Sequence, residues 1–94
     1  MYITKPKRKN KYDVLDSDKN ITSFGDSRYQ DYTIHKDSDR KTNYLSRHKT
    51  NENWSVTGIK SAGFYSRWIL WNKTTLDNSI RDVNQRFNID IELI

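Results

Sequence analysis

The residue types that usually carry catalysis are sparse in this chain and scattered. There are two histidines, His35 and His48, and no cysteine, so the sequence lacks the set of ligands that a typical zinc site needs. The acids of D-S-D-K-N and D-S-D-R lie beside turn and helix-cap signals, where Asp and Ser have a structural use. No nucleophile, base and orienting group occur together. We therefore predict that the protein is not an enzyme and has no catalytic residue, metal site, cofactor or small-molecule substrate.

Positive charge is concentrated at the start of the chain. Of the 17 lysines and arginines, five lie before any acid, and the others equal the 12 acidic residues in number. The formal net charge of +5 is therefore a property of this segment. A flexible basic end is a common device for holding nucleic acid, an acidic protein or an anionic membrane surface. The candidate binding residues here are Lys5, Lys7, Arg8, Lys9 and Lys11.

A second group of basic residues has the spacing of a helix face. Lys36, Arg40, Tyr44 and Arg47 follow one another at intervals of four, four and three, which would place them on one side of a helix. Such a basic stripe with one aromatic can follow a phosphate backbone. The ordinary alternative is a solvated face with local acidic partners. Lys36, Arg40 and Arg47 are therefore further candidates for binding a partner or phosphate.

The element expected to organise the fold lies within residues 54–73, which contain all three tryptophans. Phe64, Trp68 and Trp71 stand at i, i+4 and i+7 and form one stripe of a helix. Because this helix is apolar nearly all round, it is expected to be buried at the centre of the domain. Arg67 lies within it and is expected to stack on a tryptophan or to bridge to a buried carboxylate.

Two more helices are predicted from capping residues and periodicity. One is capped by Asp37 or Ser38 and runs to about Lys49, after a segment, 26–37, that is expected to be irregular. The last helix is capped by Thr74 or Thr75 and has a regular apolar spacing, formed by Leu76, Ile80, Val83 and Phe87.

The strands are predicted from alternation and turn residues. A hairpin is expected over 11–16 and 21–25, joined by D-S-D-K-N, with Tyr12, Val14, Ile21 and Phe24 facing inward. The final I-D-I-E-L-I alternates as a strand and is expected to join this hairpin. The prediction is an α+β fold with about three helices, the central one rich in tryptophan. These pack on a small antiparallel sheet made of the N-terminal hairpin and the C-terminal strand.

Length and composition predict one domain with a basic arm. Only 33% of residues are hydrophobic and the mean hydropathy is −1.06, but the aromatic content of 13% favours a packed core. We place a basic extended arm at 1–10, where Pro6 stops any helix, and a single globular α+β domain at 11–94. No apolar run approaches the ~18 residues of a membrane span, so no transmembrane segment is expected.

Several stretches together form a distinctive pattern. They are D-Y-T-I-H-K-D at 31–37, R-K at 40–41, Tyr44, R-H-K at 47–49, E-N-W at 52–54 and A-G-F-Y-S-R-W-I-L-W-N-K at 62–73. This pattern resembles a family of small proteins encoded by large nucleocytoplasmic DNA viruses, including the giant and algal viruses, over roughly residues 20–88. The chain departs from the family at Thr74, where we expect Pro, and at Arg28–Tyr29, where we expect Gly-Tyr. The resemblance implies a viral origin and a place in the particle, and it carries no enzymatic role.

Two functions follow as expectations, in this order. The first is a virion structural protein, a minor capsid or capsid-associated component that links larger virion proteins, with the major capsid protein as the expected neighbour. Small size, the lack of a catalytic set and terminal segments suited to strand exchange favour it. Its expected location is the virion, and the host cytoplasm during assembly. The alternative is a nucleic-acid-binding protein of the virus core or replication machinery that holds DNA or RNA with the basic arm. A host-directed adaptor is a third class that the sequence leaves open.

Overall fold

In the computed structural model, which describes residues 1–5 and 9–94, the fold is α+β with a small mixed sheet of four strands. The strands are β1 (Tyr2–Thr4), β2 (Asn10–Leu15), β3 (Ile21–Asp26) and β4 (Glu92–Leu93), in the spatial order β3-β2-β1-β4. β2 pairs antiparallel with both β1 and β3, whereas β1 and β4 run parallel.

The predicted hairpin is confirmed as β2 and β3. Its turn is held by the Asp16 carboxylate, which accepts hydrogen bonds from the backbone amides of Asp18 and Asn20 at 2.8 and 3.1 Å. Val14 and Phe24 are buried as expected, but Ile21 is 63% exposed. Ile21 and Phe24 are an odd number of positions apart, so they lie on opposite faces of the strand and cannot both point into the core.

The sheet differs from the predicted one in strand number and in the partner of the last strand. β4 does not join the hairpin but pairs with β1, through hydrogen bonds from the amides of Glu92 and Ile94 to the carbonyls of Met1 and Ile3. β1 has one fully buried side chain, Ile3, and is too short to give a periodic signal. The beginning of the predicted arm is thus a strand of the sheet.

Four helices pack with this sheet, rather than about three. They are α1 (Tyr32–His35), α2 (Ser38–His48), α3 (Ala62–Tyr65, continued by a π-helical turn over Ser66–Leu70) and α4 (Leu76–Phe87). The predicted caps Asp37 and Thr75, and Ser61 at the start of α3, each accept a hydrogen bond from a backbone amide of the first turn. α1 is one turn long and falls in the stretch expected to be irregular. Among the described residues, no helix combines the length and apolar character that crossing a bilayer would need.

The segment 62–71 supplies the centre of the core, but its two tryptophans lie at the edge of this core. A π-turn closes i to i+5 bonds, as between Trp71 N–H and Ser66 O at 3.1 Å. Residues five apart therefore share a face. α3 and its π-helical turn bury two such pairs, Phe64 with Ile69 and Tyr65 with Leu70, instead of the expected stripe of residues 64, 68 and 71. Trp68 and Trp71 are only partly buried at the edge of this core. The buried side chains of the segment are Phe64, Tyr65, Ile69 and Leu70.

Candidate functional site

A fixed turn after β3 presents Tyr29 to solvent. The Asp26 carboxylate accepts from the Arg28 amide at 2.9 Å and from the Arg28 guanidinium at 2.7 Å, and these bonds lower the pKa of Asp26 to about 2. The Tyr29 amide donates to the Asp26 carbonyl at 3.1 Å. The Arg28 guanidinium carbon lies 5.7 Å from the centroid of the Tyr29 ring. Tyr29 is nevertheless 68% exposed, so the turn fixes its backbone while leaving most of the side chain accessible.

Trp71, directly after the π-turn, is held from both its ring and its backbone. Its ring stacks on Tyr44 of α2, with centroids 4.2 Å apart and an angle of 4° between the planes. Its carbonyl accepts from the Arg67 guanidinium at 2.8 Å, and Lys41 Nζ donates to the next carbonyl, that of Asn72, at 2.7 Å. The ring therefore forms a rigid wall beside α2.

Between these two aromatic residues lies a groove that we call the arginine groove. Its volume is about 540 Å³, and its lining residues are Tyr29, Gln30, Arg40, Asn43, Arg47 and Trp71. It adjoins a second cavity of about 690 Å³, which shares four of these residues and extends toward the open end of the hairpin. Arg40 and Arg47 are seven positions apart on α2, which separates their Cα atoms by about 10 Å along the helix axis.

The polar side chains of the arginine groove have no partners in the part of the chain that the structure describes. Over residues 1–5 and 9–94, the side chains of Gln30, Arg40, Asn43 and Arg47 form neither hydrogen bonds nor ion pairs. A guanidinium carries five N–H donors in a planar fork that matches a carboxylate or a phosphate. The groove therefore offers two unneutralised cations beside an exposed aromatic ring.

The carboxylates that line the adjoining cavity are already engaged. Asp26 is paired with Arg28, as described above. Glu52 accepts from the Trp54 indole N–H at 2.9 Å and lies 3.4 Å from His48 Nδ1. Because these acids have nearer partners, they do not neutralise the two arginines by direct contact. The groove is accordingly suited to an anionic ligand.

The predicted basic stripe is only half correct. Asp37 begins α2 as its N-cap, so Lys36 is not on that helix. Lys36 instead ends α1 in the left-handed conformation, with φ 55°, and its Nζ donates to the carbonyls of Thr33 and Thr74 at 3.1 and 2.6 Å. Tyr44 is buried under Trp71. Arg40 and Arg47 are the members of the stripe that lie together at the surface.

The candidates near the N-terminus are placed differently from one another. Lys5 and Lys9 are exposed, whereas Lys7 and Arg8 lie outside the described residues. Lys11 is not an available cation, because its Nζ pairs with the Asp31 carboxylate and only 11% of its side chain is exposed. That pair ties β2 to the start of α1, since Asp31 also caps this helix. Lys11 therefore has a structural position.

Four members of the groove were not predicted as binding residues from the sequence: Tyr29, Gln30, Asn43 and Trp71. One local signal was available, because Arg40, Asn43 and Arg47 at i, i+3 and i+7 share a helix face. Nothing local could show that Tyr29 and Trp71, from distant parts of the chain, line the same groove with residues of α2.

His35 joins α1 to α2 rather than lining the groove. Its Nδ1 accepts from the Asp37 amide at 2.9 Å, and its ring lies 5.3 Å from that of Trp71. Its Nε2 is buried and has no hydrogen-bond partner among the described residues. Burial lowers the pKa of His35, so the neutral ring is favoured. In the described part of the chain, no three His, Asp or Glu side chains lie close enough together to hold a metal ion.

Comparison with known proteins gives one match. Residues 2–48 match the family of unknown function DUF5754. This stretch spans β1 to α2 and includes Tyr29, Arg40 and Arg47, whereas Trp71 lies beyond it. No curated protein and no solved structure matches the chain.

Proposed function

The chain belongs to DUF5754, and we propose that it is a non-enzymatic nucleic-acid-binding protein of a large DNA virus that holds phosphates in the arginine groove. The observation that supports this most directly is the availability of Arg40 and Arg47. Both guanidiniums line one groove, and neither is paired with another described residue. Arginine binds phosphate through two parallel N–H···O bonds, which makes an uncommitted pair of this kind a natural phosphate contact.

The basic residues between β1 and β2 add to this surface in the proposal. Lys5 and Lys9, its described cations, are exposed on either side of Pro6, Lys7 and Arg8, which lie outside the described residues. Charges of this kind contribute sequence-independent affinity by releasing counterions from the phosphates. In the proposal, these lysines provide the sequence-independent attraction to nucleic acid, and the arginine groove provides the direct contacts to individual phosphates.

The viral setting of the proposal is supported by the resemblance described above. Within that setting, a phosphate-binding surface fits the core of the particle or the replication machinery, with DNA or RNA as the partner. The protein would then be found with the genome in the virion, and in the host cytoplasm during assembly.

The proposal is tested by binding to a labelled single-stranded oligonucleotide over a range of salt concentrations. Each phosphate contact on a single strand contributes about 0.7 to the slope of log affinity against log salt, so Arg40→Ala with Arg47→Ala is expected to flatten the slope by about 1.4. Arg81→Ala is the matched control, because Arg81 is also exposed but lies on α4 outside the groove. Equal slopes for the double variant and the wild type would contradict the proposal.

A virion structural protein is the second candidate, favoured by an exposed apolar row on the sheet. Leu15 pairs with Tyr2 on one side and with Ile21 on the other, so the three side chains lie side by side across three strands. They are 37, 45 and 63% exposed. Exposed apolar patches often mark contacts between proteins. This candidate has less support than the first, because β1 and β4 pair with each other within the folded chain, and strand exchange would require this pairing to open.

Stepwise disruption of purified virions separates the two candidates. A nucleic-acid-binding protein is expected to stay with the genome after the shell is removed and to be released by salt. Recovery with the major capsid protein in particles that lack the genome would favour the structural role instead.

A further inference from the structure

We propose that the arginine groove selects single-stranded over double-stranded nucleic acid by stacking one unpaired base on Tyr29. This inference rests on the proposed function, and it names the form of nucleic acid and the contact that recognises it. It follows from three features of the groove: the position of the tyrosine ring, the polar groups around it, and the use already made of Trp71.

Tyr29 has the properties of a stacking platform. Its ring lines both the arginine groove and the adjoining cavity, and 68% of the residue is exposed. Its backbone is fixed by the Asp26–Arg28 turn, so little further order is required when a ligand binds. The Arg28 guanidinium carbon lies over the ring, 5.7 Å from its centroid, which restrains the side chain while 68% of the residue stays exposed. An aromatic ring that is exposed, restrained and beside two free arginines is suited to a flat ligand attached to phosphates.

Trp71 is not an equivalent platform. Its ring is stacked on Tyr44 with an angle of 4° between the planes, so one of its faces is already covered. It forms part of the wall of the groove. The base is therefore assigned to Tyr29, and the phosphates on either side of it are assigned to Arg40 and Arg47.

The same arrangement disfavours a duplex. In a duplex each base is paired and stacked within the helix, so its face is hidden and its phosphates are the accessible groups. A duplex could contact Arg40 and Arg47 but would leave Tyr29 without a ligand. The amides of Gln30 and Asn43 each offer donors and an acceptor, which an unpaired base can use at its exposed edge. An acidic peptide would likewise engage only the arginines.

Three ligands with the same phosphate chemistry test the inference: an oligothymidylate, an abasic oligonucleotide of equal length, and a duplex. Affinities are measured by fluorescence anisotropy at one salt concentration. We expect the wild type to bind the oligothymidylate about tenfold more tightly than the abasic chain, because stacking of a single base on an aromatic side chain has about this effect. The duplex is expected to bind more weakly than the oligothymidylate.

Tyr29→Leu and Tyr29→Phe form the matched pair of variants. Tyr29→Leu is expected to lose the roughly tenfold preference for the oligothymidylate and to keep its affinity for the abasic chain. Tyr29→Phe keeps the ring and is expected to behave as the wild type. A Tyr29→Trp variant gives a further signal: relative to the wild type with its three native tryptophans, its fluorescence should show additional quenching by the oligothymidylate and none by the abasic chain. Thermal melts of the variants should match the wild type, because this exposed side chain is not part of the core.

The outcomes separate this inference from the proposed function. Equal affinity for the oligothymidylate and the abasic chain would overturn the stacking of a base, while the arginine variants could still show that the groove holds phosphate. A higher affinity for the duplex would overturn the selection of single strands. If an acidic peptide binds in the groove and no nucleic acid does, both the inference and the proposed function fail.

Discussion

Two regions of the molecule place arginine beside aromatic rings, and they differ in what the guanidinium groups are bonded to. In the first, which we call the tryptophan cluster, Arg67 and Arg86 lie over the ring of Trp68 at 4.2 and 4.6 Å from its centroid. Arg67 also lies 5.5 Å from the Trp54 ring and donates to the Trp71 carbonyl. Arg86 is paired with Asp82, 3.2 Å from its Nε. Both guanidiniums therefore already have bonding partners within the fold.

In the arginine groove the same residue types occur without such hydrogen bonds or ion pairs. Arg40 and Arg47 have no acidic partner among the described residues, and Tyr29 is more exposed than any of the tryptophans. An arginine stacked on an aromatic ring is as easily found in a structural cluster as in a binding site. The two regions are therefore distinguished by the unsatisfied N–H donors of the groove arginines, not by residue composition.

The largest expected effect that separates the two regions is that of Trp68→Ala on stability. The rings of Trp68 and Phe87 pack in a T-shaped arrangement with their centroids 5.3 Å apart. The Trp68 indole N–H donates to the Trp54 carbonyl at 2.8 Å. Because the ring is partly buried, we expect a loss of about 3 kcal/mol in the free energy of unfolding, the lower end for a large aromatic. Urea unfolding measures this loss.

Arg40→Ala with Arg47→Ala is the control for that measurement and is expected to stay within about 0.5 kcal/mol of the wild type, since neither side chain has a partner to lose. An unchanged midpoint for Trp68→Ala would mean that the tryptophan cluster is itself a binding surface.

A smaller effect is expected for Arg67→Met, which keeps the aliphatic stem of the side chain and removes the guanidinium. The variant loses the contact with the Trp68 ring and the hydrogen bond to the Trp71 carbonyl. Together these predict a loss of about 1–2 kcal/mol. Urea unfolding again provides the test, and oligonucleotide affinity per folded molecule should be retained. Unchanged stability together with lost binding would indicate that Arg67 contacts the oligonucleotide directly.

The third prediction concerns pH and His35, at the edge of the groove wall. Burial lowers the pKa of His35 in the folded state below its ordinary value of 6.5. When the pH falls below 6.5, the unfolded chain therefore binds a proton at His35 more readily than the folded chain does. Stability should therefore fall as pH decreases through 6.5 and level off once the folded-state pKa is passed. Arg40 and Lys11 act in the same direction as burial, whereas Asp37 and Asp31 oppose it.

His35→Gln should remove this part of the pH dependence, as followed by thermal melts between neutral and mildly acidic buffer. Losses caused by Asp16, Asp26 and Asp82 are distinguishable, because the pKa values of these carboxyls are lowered from 3.8 and their contribution is lost only in stronger acid. A wild-type profile that is flat through 6.5 would show that protonation of His35 is not linked to folding.

The parts of the fold that could be predicted from the sequence are those with local signals. The hairpin has its own turn residues, and α2 and α4 have caps at Asp37 and Thr75 together with apolar periodicity. β1 and α1 are three and four residues long, too short for periodicity to be recognised. The pairing of β1 with β4 joins the two ends of the described chain, and no local pattern specifies it.

The candidate site was predictable only to the level of residue type and spacing. Arg40 and Arg47 were identified from their positions on one helix face. Lys36 was identified by the same spacing and Lys11 from the basic N-terminal segment, yet each is bonded within the fold. Whether a cation is free depends on which carboxylate or carbonyl the tertiary structure places beside it, and a sequence pattern does not contain that information.

The position of β1 in the middle of the sheet has a consequence for the order of folding. β1 can pair with β2 as soon as the first strands have been synthesised, but its other edge waits for β4, with almost the whole described chain between them. Closing so long a loop is entropically costly and is a late step in most folding mechanisms. During synthesis on the ribosome, the β1 edge therefore stays open until the last strand emerges. In that interval it can accept a strand from another nascent chain, which makes domain-swapped dimers the expected misfolded product.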